Sequence, residues 1–423
     1  MPVRLTPIAP VLLGVVSSQV ALGIMTPLIP LLLLRAGASS PAIGAVASAY
    51  FIGFLAGALT AQRVVMRVGH IRAFATFASL AANATLLMLF FDAPVLAGLL
   101  RLVIGYASSG LTLVAESWLN DRADSGTRGR IFGAYLVASW GASVLGPLVL
   151  SVVEASPQLY VLAGMGFALS LLPMALTHES NPEIHQRARL NLWHLYRISP
   201  VGVVCCVAAG LLNSAYYPLV PVYLQRQGYD TTTVGGFISI ISVAGLLVQY
   251  PVGMLSDRFG RRPIIIVILV AGFLLAGLMD LIEGSSLTLL TVLGFLLAGM
   301  MAPLYGLGAG QTNDRMQRGD YVAASGGLLF AWSLGSSIGP SIAGEMMGRI
   351  GPSGLFAYLA VALGALALFT GARMLLREEV PRAQRGAFVP AVVVPPRHTE
   401  LARTVATTAD QPGADVPVRR APS

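Results

Sequence analysis

Gly253-Met254-Leu255-Ser256-Asp257-Arg258-Phe259-Gly260-Arg261-Arg262-Pro263 sets three arginines, one aspartate and two glycines between two long apolar runs. Apolar segments of about 20 residues are long enough to cross a bilayer, and basic residues concentrate in cytoplasmic connections. The stretch therefore reads as a tight cytoplasmic turn between two membrane helices. Gly253 and Gly260 would let the helix ends approach. Asp257 has no obvious cation to serve in solvent, so its expected partner is the positive N-terminus of a neighbouring helix, which makes it a candidate latch.

The rest of the chain agrees with a bilayer. It has 423 residues, 55% apolar and only 11% charged, with a mean hydropathy of +0.75, too apolar for a soluble protein with one or two cores. The formal charge of +8 comes entirely from arginine, with no lysine. These arginines lie between apolar runs without forming a face, which argues against nucleic acid as a partner. Cys205 and Cys206 are adjacent inside an apolar run and suggest neither a disulfide framework nor a metal site. The first apolar run is too long for a signal peptide and lacks a small-residue cleavage site, so it is expected to stay as a helix.

Apolar runs cover roughly 10–34, 41–64, 73–91, 94–119, 130–153 and 159–177, and then 201–225, 233–255, 264–282, 288–311, 321–347 and 353–376. An all-α membrane protein of twelve transmembrane helices is expected, six in each of two bundles, 1–177 and 201–376. Between them, 178–200 reads as a solvated cytoplasmic linker. From 377 to 423 the chain is rich in Pro, Ala, Arg and Thr and reads as a disordered cytoplasmic tail. With both termini inside, 15 arginines fall on the N-terminus, inside loops and linker, while only Arg35, Arg226 and Arg349 fall on outside loops.

The two halves repeat. A shift of 191 pairs Pro27 and Pro30 with Pro218 and Pro221, Arg35 with Arg226, Gly37 with Gly228, Gly44 with Gly235, Arg67 with Arg258 and Gly69 with Gly260. A shift of 193 pairs Asn120-Asp121-Arg122 with Asn313-Asp314-Arg315, Gly133 with Gly326, Ser143 with Ser336 and Gly146-Pro147 with Gly339-Pro340. Six spans per half is an even number, so both copies enter the membrane in the same orientation. A substrate route is expected at their interface, near the midplane.

The stretch at 253–263 resembles the signature loop Gly-x-x-x-Asp-Arg-x-Gly-Arg-Arg of the major facilitator superfamily of secondary transporters, and matches every fixed position. The resemblance implies gating roles for Gly253, Asp257, Arg258, Gly260, Arg261 and Arg262. It also places the second-half loop against the start of the fifth helix, which carries Arg128 and Arg130, in the outward-facing state. Arg101 followed by Gly105 resembles a helix 4 signature associated with proton coupling, and Glu116 further along the same run is the second coupling candidate. Gly146-Pro147 resembles an antiporter mark, with Ala142 and Leu150 where the pattern has glycine. The better copy ends in Gly339-Pro340, and both serve equally well as bundle hinges, because small residues permit close helix contact and proline bends a helix.

Mid-span polar and aromatic side chains are the candidate substrate contacts: Gln19, Tyr135, Trp140, Asn213, Tyr216, Tyr217, Gln249, Tyr305 and Trp332. Each would equally serve as a helix-helix hydrogen bond or packing aromatic. Such a pocket favours a neutral, weakly polar or cationic-amphipathic solute over a polyanion. Asp280, Glu283 and Glu154 read as interfacial anchors, and Glu345 four residues before Arg349 as a local ion pair.

No Gly-x-x-x-x-Gly-Lys-Ser/Thr loop is possible without lysine, which excludes a primary pump of that kind. No cofactor, metal or enzymatic activity is expected. The reading is a monomeric secondary carrier of a small organic solute in a bacterial inner membrane, of a drug- or sugar-efflux-like branch, with proton-coupled efflux ahead of proton-coupled uptake. A transporter-derived sensor acting through its tail is the rival.

Overall fold

The computed structural model describes residues 8–122, 128–176, 192–282, 286–316 and 321–376, all of them helices and their connections. The helices are α1 (Ala9–Arg35), α2 (Ser40–Val68), α3 (His70–Leu87), α4 (Pro94–Asp121), α5 (Arg128–Val149), α6 (Leu159–Ala175), α7 (Leu192–Ile198), α8 (Pro200–Arg226), α9 (Thr231–Phe259), α10 (Arg261–Leu281), α11 (Leu287–Met301), α12 (Leu304–Asn313), α13 (Tyr321–Ile350) and α14 (Gly354–Leu376). A 3₁₀ turn, Met88–Phe90, extends α3. By length and composition, ten helical stretches among the described residues can cross a membrane, α11 and α12 counting as one. Many large apolar side chains face outward, among them Val267, Leu274 and Val361. A lipid environment satisfies that surface and water would not.

The repeat governs helix boundaries. Moving α1 and α2 by 191 residues reproduces the limits of α8 and α9, and His70 falls on Arg261, the first residue of α10. Caps correspond as well: Ser39 accepts from the Ala42 amide at the start of α2, and Asp230 accepts from Thr233 at the start of α9. Glycines with positive φ also pair, Gly37 (83°) with Gly228 (89°) and Gly69 (82°) with Gly260 (103°). These are backbone conformations that a side chain opposes.

Four expectations change in detail. The turn at 253–263 shrinks to one residue: α9 continues to Phe259, Gly260 reverses the chain, and α10 starts at Arg261. Asp257 therefore does have a cation of its own. Arg261, one turn on, brings Nη1 to 3.5 Å from its Oδ1. The tenth apolar run is two helices because Pro303 has no amide proton to continue α11; α4, its counterpart, carries Gly110 there and stays whole. The linker is partly ordered and packed, with Leu195 of α7 fully buried and Tyr196 hydrogen-bonded by Arg373 at 3.4 Å. The rest of the linker, Glu283, the side chain of Arg128 and the tail from 377 lie outside the described residues.

The halves meet at the arginine-poor end. There the Ser341 amide and hydroxyl reach the Ser48 hydroxyl at 3.1 and 2.8 Å. A methyl group on Gly44 would lie 2.3 Å from the Pro340 carbonyl oxygen, and one on Gly344 2.5 Å from that of Ser40, so α2 and α13 touch backbone to backbone. At the same end Leu150 sits over Gly235, and the Ala155 amide donates to Thr231 at 3.4 Å. Leu150, which stands where the antiporter pattern has glycine, fills the notch of its partner helix.

Candidate functional site

Below that contact lies a cavity of about 210 Å³, enclosed by α1, α2, α4 and α5 from one half and α8, α9 and α13 from the other. Gln19, Trp140, Asn213, Tyr217 and Trp332, five of the mid-span candidates, line it. Arg101 and Pro147 do too. Tyr135 instead borders a small adjoining pocket that Gln19 shares.

Tyr216, Gln249 and Tyr305 are not among the lining residues. The Tyr216 hydroxyl donates to the Gly294 carbonyl at 3.1 Å, which ties α8 to α11 within one half. Gln249 and Tyr305 are buried in helix packing. Helical phase separates Tyr216 from the cavity, whereas Gln249 lies on the same face of α9 as the lining Ser242 but two turns farther along, so depth separates it. Tyr216 and Tyr217 are neighbours, yet successive side chains on a helix point about 100° apart.

Among the described residues, Arg101 is the one charged side chain in the lining. It is 5% exposed, and its guanidinium lies over the Tyr50 ring at 4.5 Å. That stack depends on a helix crossing. A methyl group on Gly105 would stand 1.9 Å from the Tyr50 carbonyl oxygen, and one on Gly53 1.9 Å from that of Leu102, so α2 and α4 approach along a glycine seam. The spacing of Arg101 and Gly105 has its physical reason here: the glycine admits the backbone whose tyrosine the arginine covers. Such a cation–π contact is worth about 0.5–2 kcal/mol. Withdrawing an ion from water costs several kcal/mol, so the ring alone does not compensate.

Three buried side-chain atoms of lining residues have no hydrogen-bond partner among the described residues: Nη1 of Arg101, Oδ1 of Asn213 and Oγ of Ser139. The remainder mixes aromatic and aliphatic side chains with hydroxyl and amide groups, among them Gln19, Thr26, Thr112 and Ser242. Phe51 and Phe54 stand edge-on to Trp332, with centroids 5.9 and 6.3 Å away. Tyr50, Phe51 and Phe54 were not legible as cavity residues, because their run is apolar throughout and nothing in it marks the inward face.

Glu116 is also buried, 2% exposed, but does not line the cavity. It shares α4 with Arg101 at a separation of roughly 22 Å along the axis, taking about 1.5 Å per residue. The two coupling candidates are therefore separate sites.

Of the gating candidates, Gly146 packs on Gly23 of α1 and Gly339 on Leu211 of α8, close contacts within each half. At the arginine-rich end, Arg261 bridges Asp257 of α9 and Asp314 beyond α12, the latter at 2.6 Å with both side chains almost fully buried. Gly253, Arg258 and Arg262 belong to the same hairpin, Arg262 buried and Arg258 over Phe259. Glu345 and Arg349 form the expected local pair at 2.7 Å, and Glu154 meets Arg35 at 3.2 Å on the rim.

A bundle of apolar helices in two repeated halves, with a partly polar cavity between them, defines a membrane carrier. The chain belongs to the Major Facilitator Superfamily, whose profile matches residues 11–278 and 204–409. It is 28% identical over 359 residues to the uncharacterized MFS-type transporter YcaD of Escherichia coli O45:K1, a match covering 84% of this chain and 92% of that one. The YcaD of Shigella sonnei matches to the same extent.

Among solved structures, a bacterial homolog of the human lysosomal transporter Spinster, in an inward-facing and occupied conformation, superposes with a TM-score of 0.73 at 15% identity. It covers 92% of this chain and 100% of its own. The nucleoside transporter NupG gives 0.72 at 14% identity, covering 87% and 98%. At such identities these establish the fold. The protein is thus a multi-pass, lipid-embedded secondary transporter of small molecules in a bacterial inner membrane, working by alternating access, and not an enzyme.

Proposed function

We propose that the cavity between the halves is the transport site for a small organic solute, and that the contact of α2 with α13 is the outer gate, closed in this form. One observation carries the reading: a partly polar cavity with a buried arginine lies under a seal built of glycine and serine backbones. Contacts of that kind hold two surfaces together through few polar bonds and can separate as units. Counting α6 and α13 with the ten other apolar stretches gives twelve spans, six in each bundle, with 178–200 as the linker. The arginine distribution supports cytoplasmic termini.

Proton-coupled efflux is the proposed mode, by a monomer. Arginine stays protonated across the physiological range, so of the two coupling candidates Glu116 is the group able to exchange a proton, and Arg101 responds to charge in the cavity. The Gly146-Pro147 and Gly339-Pro340 segments, packed on α1 and α8, serve as hinges.

The test is a double cysteine variant, Ser48→Cys with Ser341→Cys. In the reduced protein a membrane-impermeant maleimide should label both positions as the outer end opens. Oxidation to the disulfide should stop labelling and stop flux in vesicles, and a reductant should restore both. Cysteines at 48 and 341 that never react from outside would refute the gate. In the same vesicles, the direction of flux under an imposed pH gradient separates efflux from uptake.

A further inference from the structure

The cavity holds a charge that the protein itself does not answer. Arg101 is almost fully buried; among the described residues its Nη1 has no hydrogen-bond partner and no acidic side chain lines the cavity. Buried charges are ordinarily paired and hydrogen-bonded. The face of Tyr50 supplies one side of the guanidinium with diffuse negative charge but accepts no hydrogen bond in the plane of the fork. That plane is where a carboxylate binds, through two parallel N–H···O bonds.

We propose that the transported solute is a small organic monoanion, a carboxylate or comparable oxyanion on an aromatic or apolar body, with Arg101 as its charge-binding residue. This rests on the reading of the cavity as the transport site. The aromatic part of the lining fits the body of such a molecule. Trp140, Trp332, Phe51 and Phe54 present ring surface, and 210 Å³ exceeds the roughly 150 Å³ that accommodates benzene in an engineered cavity, leaving room for a side arm. One arginine and no second cation in the lining set the preferred charge at a single negative. An amine would meet Arg101 with no carboxylate to receive it. A dianion would bring a charge without a partner. Asn213 Oδ1 and Ser139 Oγ can still take a hydroxyl or amide on the body.

The experiment uses three probes with one body and different charge: 3-phenylpropanoate, 3-phenylpropanamide and 3-phenylpropylamine. Each is titrated into purified full-length protein, with tryptophan fluorescence and thermal unfolding as readouts. The carboxylate should bind at least about tenfold more tightly than the amide or the amine. Its quenching signal should fall in Trp140→Phe and Trp332→Phe. Arg101→Gln should abolish the preference and Arg101→Lys keep part of it, because Lys retains the charge but not the fork.

Equal or tighter binding of the amide or amine overturns the anion assignment. If that binding still quenches through Trp140 and Trp332, the cavity stands as the transport site. A carboxylate preference unchanged in Arg101→Gln removes Arg101 from the role. Should the variant not fold, the three-probe comparison on the natural protein decides alone. Binding of none of the three at millimolar concentration also overturns the proposal. Labelling at the Ser48 and Ser341 cysteines needs no ligand and tells whether the transport reading falls with it.

Discussion

At the scale of single residues, the site depends on contacts a side chain larger than glycine would break. Gly105→Ala places a methyl group 1.9 Å from the Tyr50 carbonyl oxygen, which the helices can relieve only by moving apart. A loss of about 1–3 kcal/mol in stability is expected, as for overpacked cores, along with weakened transport, because the Tyr50 ring would leave its place under Arg101. Thermal unfolding and flux on one preparation check both effects. Arg101→Ala should insert normally and lose coupled transport, since the charge is kept in the span for what it binds. Full flux in that variant would exclude the arginine. The sequence exposed Arg101, because a charge within an apolar run is conspicuous. Tyr50 was silent, one aromatic among many on another run.

At the scale of elements, the hairpin around Gly260 carries a charge cluster whose members differ in burial. Arg261 is 2% exposed and Asp314 3%, whereas Asp257 is 36% exposed. Breaking a buried pair strands its partner at a cost of about 3–5 kcal/mol, while a pair near the surface is worth about 0–1 kcal/mol. Asp314→Asn should therefore destabilise the protein much more than Asp257→Asn, and melting of the two variants checks the order.

The effect of Asp257→Asn belongs instead to the conformational equilibrium. If Asp257 meets the start of α5 in the outward-facing form, its loss should shift the carrier toward inward-facing forms and slow transport without unfolding it. Unchanged cysteine accessibility at the cytoplasmic mouth would defeat that idea. In the first half the cluster is reduced. The counterparts of Asp257 and Arg261 are Met66 and His70, with Asp121 in the place of Asp314. The His70 ring hydrogen-bonds Ser117 at 2.9 Å, whose hydroxyl carries no charge, where Arg261 meets two carboxylates.

At the scale of the whole molecule, the repeat is the organising fact and the tail a separate question. The cavity is enclosed by helices of both halves, all of them within residues 9–350. Removing residues 378–423 should consequently leave most of the flux in vesicles. A protein acting as a sensor through its tail would lose its output instead. Rates of full-length and truncated protein at equal vesicle content distinguish the two.

The sequence by itself determined the membrane, the repeat and the turn glycines, while its apolar runs ended α2 and α9 four residues early. All of these follow from local chemistry: apolar length, the missing side chain of glycine and the ring of proline. It also picked out Arg101, Trp140, Asn213, Tyr217 and Trp332, residues of unusual type at mid-span. The tertiary structure decided which side chains share a space. Tyr216 and Tyr217 stand side by side in the chain, yet one ties α8 to α11 and the other lines the cavity, a choice made by how α8 rotates against its neighbours. It likewise gave Asp257 the cation Arg261, by reversing the chain at Gly260. It also left Arg101 stacked on a ring and, among the described residues, without a carboxylate, an absence visible only once the helices around the cavity are in place.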